Sequence, residues 1–254
     1  MIDSLRPFIV EDSNKRHSER GNILLYILLA VVLLAALTYA VAGTSRSGGI
    51  THLSDSKAST LSTEILTYAN HLKTAISKLS LRGCTETQIN FENTVVAGYV
   101  NATAPVDDSC DVFAASAGAV TWVTPPDDMN DGTPWFYTGA AVAHNSNGYA
   151  SSNSAADADL VMMISGLPQN LCTKINKQLG VTGTPINDST YGDTTKFQGS
   201  YSYAEDINGL PEASQPSPCS APSTAQNFCG RDAGCFREEG GTQRYVFFQV
   251  LLRR

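Results

Sequence analysis

The run from Gly21 to Ala42, GNILLYILLAVVLLAALTYAVA, contains no charged residue and follows the charged pair Glu19-Arg20. As a helix rising about 1.5 Å per residue it reaches roughly 30 Å, the thickness of a bilayer's hydrocarbon core. The place of every other segment follows from the side of this run on which it lies. A transmembrane helix over residues 22–42 is expected, with the lipid bilayer as its first partner. Lys15, Arg16 and Arg20 stand just before the run and only Arg46 just after it. Basic residues beside a span set its orientation, so the N-terminus is expected in the cytoplasm and the larger C-terminal part outside.

Residues 1–20 carry four acids and four bases, so the whole formal net charge of −7 falls beyond Gly21. Charged residues make up only 16% of the chain and no cluster of Lys and Arg occurs, which argues against nucleic acid as a partner. The length beyond the apolar run suits one globular domain. Its six cysteines, Cys84, Cys110, Cys172, Cys219, Cys229 and Cys235, all lie on the predicted outer side. An even number in an exported, Ser-, Thr-, Gly- and Asn-rich domain reads as three disulfides. Zinc is disfavoured, because no Cys-x2-Cys pair occurs and His17, His52, His71 and His144 lie far from the cysteines in sequence.

After the apolar run, Ser47-Gly48-Gly49 loosens the chain into a neck over residues 43–53. Leu61, Ile65, Tyr68, Leu72, Ile76 and Leu79 then recur at three- and four-residue steps, which predicts an amphipathic helix over 54–83, with Ser54 as N-cap and Gly83 as stop. Residues 84–254 are expected to form the exported α+β domain. Within it QINFENTVVAGYV (88–100) and GAVTWVT (118–124) read as strands, Trp135-Phe136-Tyr137 starts another, and DADLVMMI (157–164) reads as a buried one. SGLPQNLCTKINKQLG predicts a second helix, with Leu171, Ile175 and Leu179 on one face, Pro168 in its first turn and Gly180 ending it. The weakly apolar stretch 182–226 is expected to be an elaborated loop with a short strand near 197–203. Cys229 and Cys235 are close enough to close a small disulfide loop, and the final QRYVFFQVLL reads as an interior strand buried on both faces.

Chemistry is hard to find. No Gly-x-Ser-x-Gly, His-Glu-x-x-His or phosphate-binding loop with Lys is present. His144 lies in a turn-like segment without an identifiable partner, and the pairs Asp107-Asp108, Asp127-Asp128 and Glu238-Glu239 read as solvated turn acids. The segment Asp127 to Gly132 offers oxygens before a Gly, yet Met129 takes a ligand position and Thr138 stands where an EF-hand has its Glu. Asn101-Ala-Thr103 and Asn187-Asp-Ser189 fit the N-glycosylation pattern. No catalytic residue, cofactor or metal site is expected.

The boundary Glu19-Arg20-Gly21-Asn22, a charged leader ending in Gly before an apolar helix, resembles the prepilin processing signal of type IV pilins and type II secretion pseudopilins. The resemblance implies cleavage after Gly21 by a prepilin peptidase, removal of residues 1–21 as a cytoplasmic leader, and a mature chain starting at Asn22. It also implies an apolar helix retained for packing among other pilin or pseudopilin subunits. Most pilins have a Glu five residues into the mature chain; Tyr26 stands there, which by the same resemblance narrows the role to a minor or terminal subunit. The strand followed by a Leu167-Pro168-x-x-x-Cys172 helix resembles the middle of type IVb pilins, implying that Cys172 pairs with Cys219, Cys229 or Cys235. The fold expected is thus α+β and pilin-like: a long N-terminal helix, part transmembrane and part amphipathic, packed on an antiparallel sheet with disulfides. The function expected is that of a structural subunit, not an enzyme, in the bacterial inner membrane with its domain in the periplasm, or extracellular in a filament. Two readings of the apolar run compete. A cut after Ala40-Val41-Ala42 would start a secreted domain at Gly43, and an uncleaved anchor would keep Met1. Either makes the chain an adhesin-like binding domain without a polymer.

Overall fold

The computed structural model describes residues 25–35, 53–143, 155–181, 183–185, 187–188, 195–207, 228, 231–238 and 244–254. They belong to two compact units, Met1–Gly49 and Ile50–Arg254. In the first unit residues 25–35 are helical throughout (α1). The rest of the apolar run, and with it residues 36–42 and the neck up to residue 52, lies outside the described residues. Among the described residues no helix is long and apolar enough to cross a membrane.

The second unit opens with α2, Asp55–Leu81, a helix of 27 residues. The Ser54 hydroxyl accepts from the Lys57 N–H at 3.4 Å and Asp55 sits in the first turn, so one orphan N–H is satisfied and the helix dipole is met by a carboxylate. All six residues of the predicted stripe are buried, together with Ala58, Ala69 and Ala75, whose small side chains let the helix approach the sheet. At the other end Gly83 takes φ +100°, a conformation that costs glycine nothing, and the chain turns back with the Cys84 N–H on the Leu79 carbonyl at 3.1 Å.

Six strands form one sheet: β1 Phe136–Ala143, β2 Asp159–Leu167, β3 Asn187–Asp188, β4 Glu205–Ile207, β5 Ala233–Glu238 and β6 Tyr245–Leu252, in the order β3-β5-β6-β2-β1-β4. The four middle strands are antiparallel, as expected. The edges depart from that expectation, since the two-residue β3 runs parallel to β5 and the three-residue β4 parallel to β1. β6 lies inside the sheet and is buried on both faces, because α2 and helix α3, Gln169–Gln178, pack on one side and Phe228, Ile207 and Val181 pack on the other. In α3 Leu171 and Ile175 are buried, Pro168 stands at the N-cap rather than in the first turn, and Gly180 follows the helix at φ +73°.

The predicted strands at 88–100 and 118–124 are absent. Only a single bridge, Asn90 to Asp111, is paired. The asparagines explain why. Asn90 Oδ1 accepts from Glu92 N–H, Asn93 Oδ1 from Val95 and Val96 N–H, and Asn101 Oδ1 from Thr103 N–H, so side chains take the bonds that a ladder would have used. The apolar residues that suggested strands, Ile89, Phe91 and Tyr99, instead plug the core from an irregular segment. Gly118 lets this segment close on itself, for a Cβ there would overlap the Val112 backbone.

The short strand expected at 197–203 is shifted to β4. Its approach still follows β1, with Phe197 N–H on the Tyr137 carbonyl at 2.9 Å and Ser202 N–H on that of Gly139 at 3.1 Å. Gly139 makes room for the Phe197 ring, which a side chain would strike.

Candidate functional site

Two surfaces and one charged cluster stand out, and none has the form of a catalytic centre. The first surface is α1. Its nine large apolar side chains, Leu25 to Leu34 without Ala30, are between 53 and 69% exposed, and they are nine of the fourteen exposed large hydrophobics among the described residues. An apolar surface of this extent calls for cover by lipid or by another protein. Gly21 and Asn22, the residues of the expected processing site, lie outside the described residues.

The second surface is a groove of about 1000 Å³ along the outer side of α2, lined from Asp55 to His71 with Val123 and Lys174 opposite. Its composition is hydroxyl-rich, and two of its hydroxyls are engaged within the helix: Thr60 donates to the Ser56 carbonyl at 3.2 Å and Thr63 to that of Ser59 at 3.0 Å. Covering these two hydroxyls therefore carries little desolvation cost. Ion pairs stand at the N-terminal end of α2, Lys174 to Asp55 at 3.1 Å and Lys57 to Asp128.

The charged cluster ties α2 to the last strand. Asp232 accepts from Lys73 Nζ at 2.6 Å and from Arg253 Nε at 2.9 Å, while the buried Asp159 accepts from the N–H groups of Ala143 and Arg254 at 3.1 and 3.0 Å. Arg254 adds an ion pair to Glu86 at 3.0 Å and lies 4.1 Å over the Tyr201 ring. Burial raises the Asp159 carboxyl above the usual range despite its two N–H donors and Arg253. Burial also pushes Asp232 upward, but the hydrogen bonds and charges of Lys73 and Arg253 overcome it and hold that carboxyl below its ordinary value.

The signs of these two shifts are opposite. Asp159 contributes stability that is full below its unfolded pKa and falls as pH rises through its raised folded value. Asp232 contributes stability that is present above its unfolded pKa and lost as pH falls through its depressed folded value. Asp232→Asn is therefore expected to cost about 1 kcal/mol at neutral pH, after discount for a half-exposed group, with the difference vanishing once the native carboxyl is protonated in acid. Unfolding midpoints measured across acid pH check this. An equal difference at all pH values would contradict it.

The acid pairs named from sequence are spread among structural duties. Asp107 is an exposed turn acid held below its usual range by the Ser109 hydroxyl and N–H. In the Asp127–Asp131 segment Met129 is buried, Asp128 pairs with Lys57, Asp131 accepts from Thr133 N–H, and the Asn130 amide donates to the Thr133 and Ser165 carbonyls. Among the described residues no three His, Cys, Asp or Glu side chains are grouped to hold a metal ion. His144 and Glu239 lie outside the described residues. The buried phenols Tyr68 and Tyr137 share a hydrogen bond at 3.4 Å, and burial raises Tyr99 to about 12, so none of these hydroxyls ionises near neutral pH. Asn101 is buried with its amide nitrogen donating to the Thr87 and Ile89 carbonyls at 2.8 Å, so a glycan there would have to displace both bonds.

Among the described residues four cysteines form two bridges, Cys84 to Cys110 and Cys172 to Cys235, with Cα separations of 5.8 and 5.4 Å. Cys235 is thus the partner of Cys172, and the small loop between Cys229 and Cys235 is not formed. Cys219 and Cys229 lie outside the described residues. Sequence reading missed the Lys73, Asp159, Asp232 and Arg253 cluster altogether. Its one sequence signal is the Arg253-Arg254 pair directly after an apolar strand, where paired bases beside a buried strand invite acidic partners. Compared with known proteins, the chain matches no family model, no curated protein and no solved structure.

Proposed function

We propose that this chain is a minor pilin-like or pseudopilin-like structural subunit. In this reading its apolar helix holds it in a bacterial inner membrane and later packs among other pilin or pseudopilin subunits. The α+β domain then stands in the periplasm or outside the cell on the assembled filament. A prepilin peptidase would remove residues 1–21 and leave Asn22 as the mature terminus.

The observation that carries the proposal is the apolar surface of α1, exposed all around the helix. Each large apolar side chain gains about 1.5 to 3 kcal/mol on leaving water, so nine of them bare on one short helix demand a nonaqueous neighbour. The other unit has its own core on both faces of the sheet. Tyr26 on α1 carries no charge, which lets this helix pass from lipid to protein contacts without a buried carboxylate to pair.

A photo-crosslinking amino acid in place of Leu29 tests the reading in cells that hold the assembly machinery. Adducts the size of a second subunit are expected there, and none from Val106, a fully exposed loop residue. Lipid adducts alone at Leu29 would remove the filament and leave a membrane anchor.

A further inference from the structure

We propose that a recess at the start of β1 binds a small monocarboxylate with a compact apolar or aromatic body. The recess measures about 210 Å³ and is lined by the aromatic residues Tyr99, Trp135 and Phe136 together with the charged residues Lys196, Glu238 and Arg244. Pockets that hold drug-sized ligands measure roughly 300 to 1000 Å³, so the occupant here is smaller than those ligands.

The aromatic residues offer chiefly rings, the Tyr99 O–H being their one uncommitted donor. The Trp135 indole N–H is spent on the Val123 carbonyl at 2.7 Å, and the Tyr99 hydroxyl accepts from the Tyr137 N–H at 3.1 Å. These residues therefore select an apolar body. The charged part of the lining carries two cations and one carboxylate in a chain whose net charge is −7. Lys196 Nζ donates to the Ala97 carbonyl at 2.6 Å and stands 5.4 Å from the Tyr99 ring centroid, which fixes the ammonium at the wall while leaving further protons to donate. Arg244 is exposed, and its carbonyl accepts from the Glu238 N–H at 2.8 Å, so the strand pairing holds these two residues side by side. Two cations against one carboxylate leave a single positive charge. This suits one carboxylate, engaged through charge-assisted hydrogen bonds, better than a phosphate dianion.

The site is independent of the filament reading, since it lies wholly within the second unit. Calorimetric titration of the full-length chain in mild detergent with benzoate, benzamide and inorganic phosphate tests it. Benzoate is expected to bind saturably, with benzamide and phosphate each at least about tenfold weaker. Arg244→Gln and Lys196→Gln should each weaken benzoate about tenfold, and Glu238→Gln should tighten it by removing a like charge. Arg244 is exposed, so its variant keeps the native circular dichroism and decides the matter even if Lys196→Gln folds poorly. Benzamide binding as tightly as benzoate, an unchanged benzoate affinity in Arg244→Gln, or no saturable benzoate binding would overturn the proposal.

Discussion

Replacing Cys172 and Cys235 together by alanine is expected to lower the unfolding free energy by about 4 kcal/mol. The bridge closes a loop of 63 residues, for which loss of chain entropy in the unfolded state accounts for roughly that amount. It ties α3 to β5, and both sulfurs are buried. The native geometry has a second tie at the same place: Asn176 donates to the Cys235 carbonyl at 2.7 Å and accepts from the Cys235 N–H at 2.8 Å. The variant should therefore keep its fold while its denaturation midpoint falls. The bridge between Cys84 and Cys110 spans 26 residues, and its removal should cost less, about 3.5 kcal/mol by the same reasoning. Denaturant unfolding of the full chain checks both values. A larger loss from the shorter loop would show that local packing, not loop closure, governs these bridges.

Phe91→Ala should cost a comparable amount, about 4 kcal/mol. Its ring is fully buried and stacks on Tyr137 with centroids 4.3 Å apart at 11°, while Phe197 meets it edge-on at 6.0 Å and 86°. Removing it leaves a cavity beneath Tyr137, whose hydroxyl is fixed by Tyr68 and cannot follow the collapse without losing that bond. Phe91→Leu retains more volume and is expected to cost about half as much. Val106→Ala, at the exposed tip of a loop, serves as the control and should lie within about 0.5 kcal/mol of the parent. A loss under about 1 kcal/mol in Phe91→Ala would mean that the irregular segment is not part of the core.

Phe91 also marks where the sequence was hard to read. Residues 88–100 have the β-rich composition of a strand, and only the asparagines at 90, 93 and 101 reveal that the backbone folds on itself. Those residues fit a strand's turn as well as an internal Asx turn, so composition alone could not decide. The helices were plainer. In α2 the six-residue stripe spaced by threes and fours has no competing explanation, and Ser54 and Gly83 fix its ends. β2 and β6 were legible because continuous apolar runs of that length must be covered on both faces.

The two parallel edge strands were not legible. At two and three residues they carry no pattern, and their pairing depends on contacts distant in sequence. The charged cluster around Asp232 and the recess near Trp135 were hidden for the same reason: Lys73, Asp159, Asp232 and Arg253 come from four separate elements or their flanks, and Tyr99, Lys196 and Arg244 from three segments far apart in sequence. Nothing in their spacing announces that folding brings them together.

The proposed assembly role turns on what becomes of the apolar run, since a subunit that packs through this helix must lose the charged leader and keep the helix. The mass and N-terminal sequence of the mature protein, recovered from the cell envelope, test this most directly. A chain beginning at Asn22 is the predicted result. A chain beginning at Met1 or at Gly43 would contradict it, the first by keeping the leader and the second by discarding the helix.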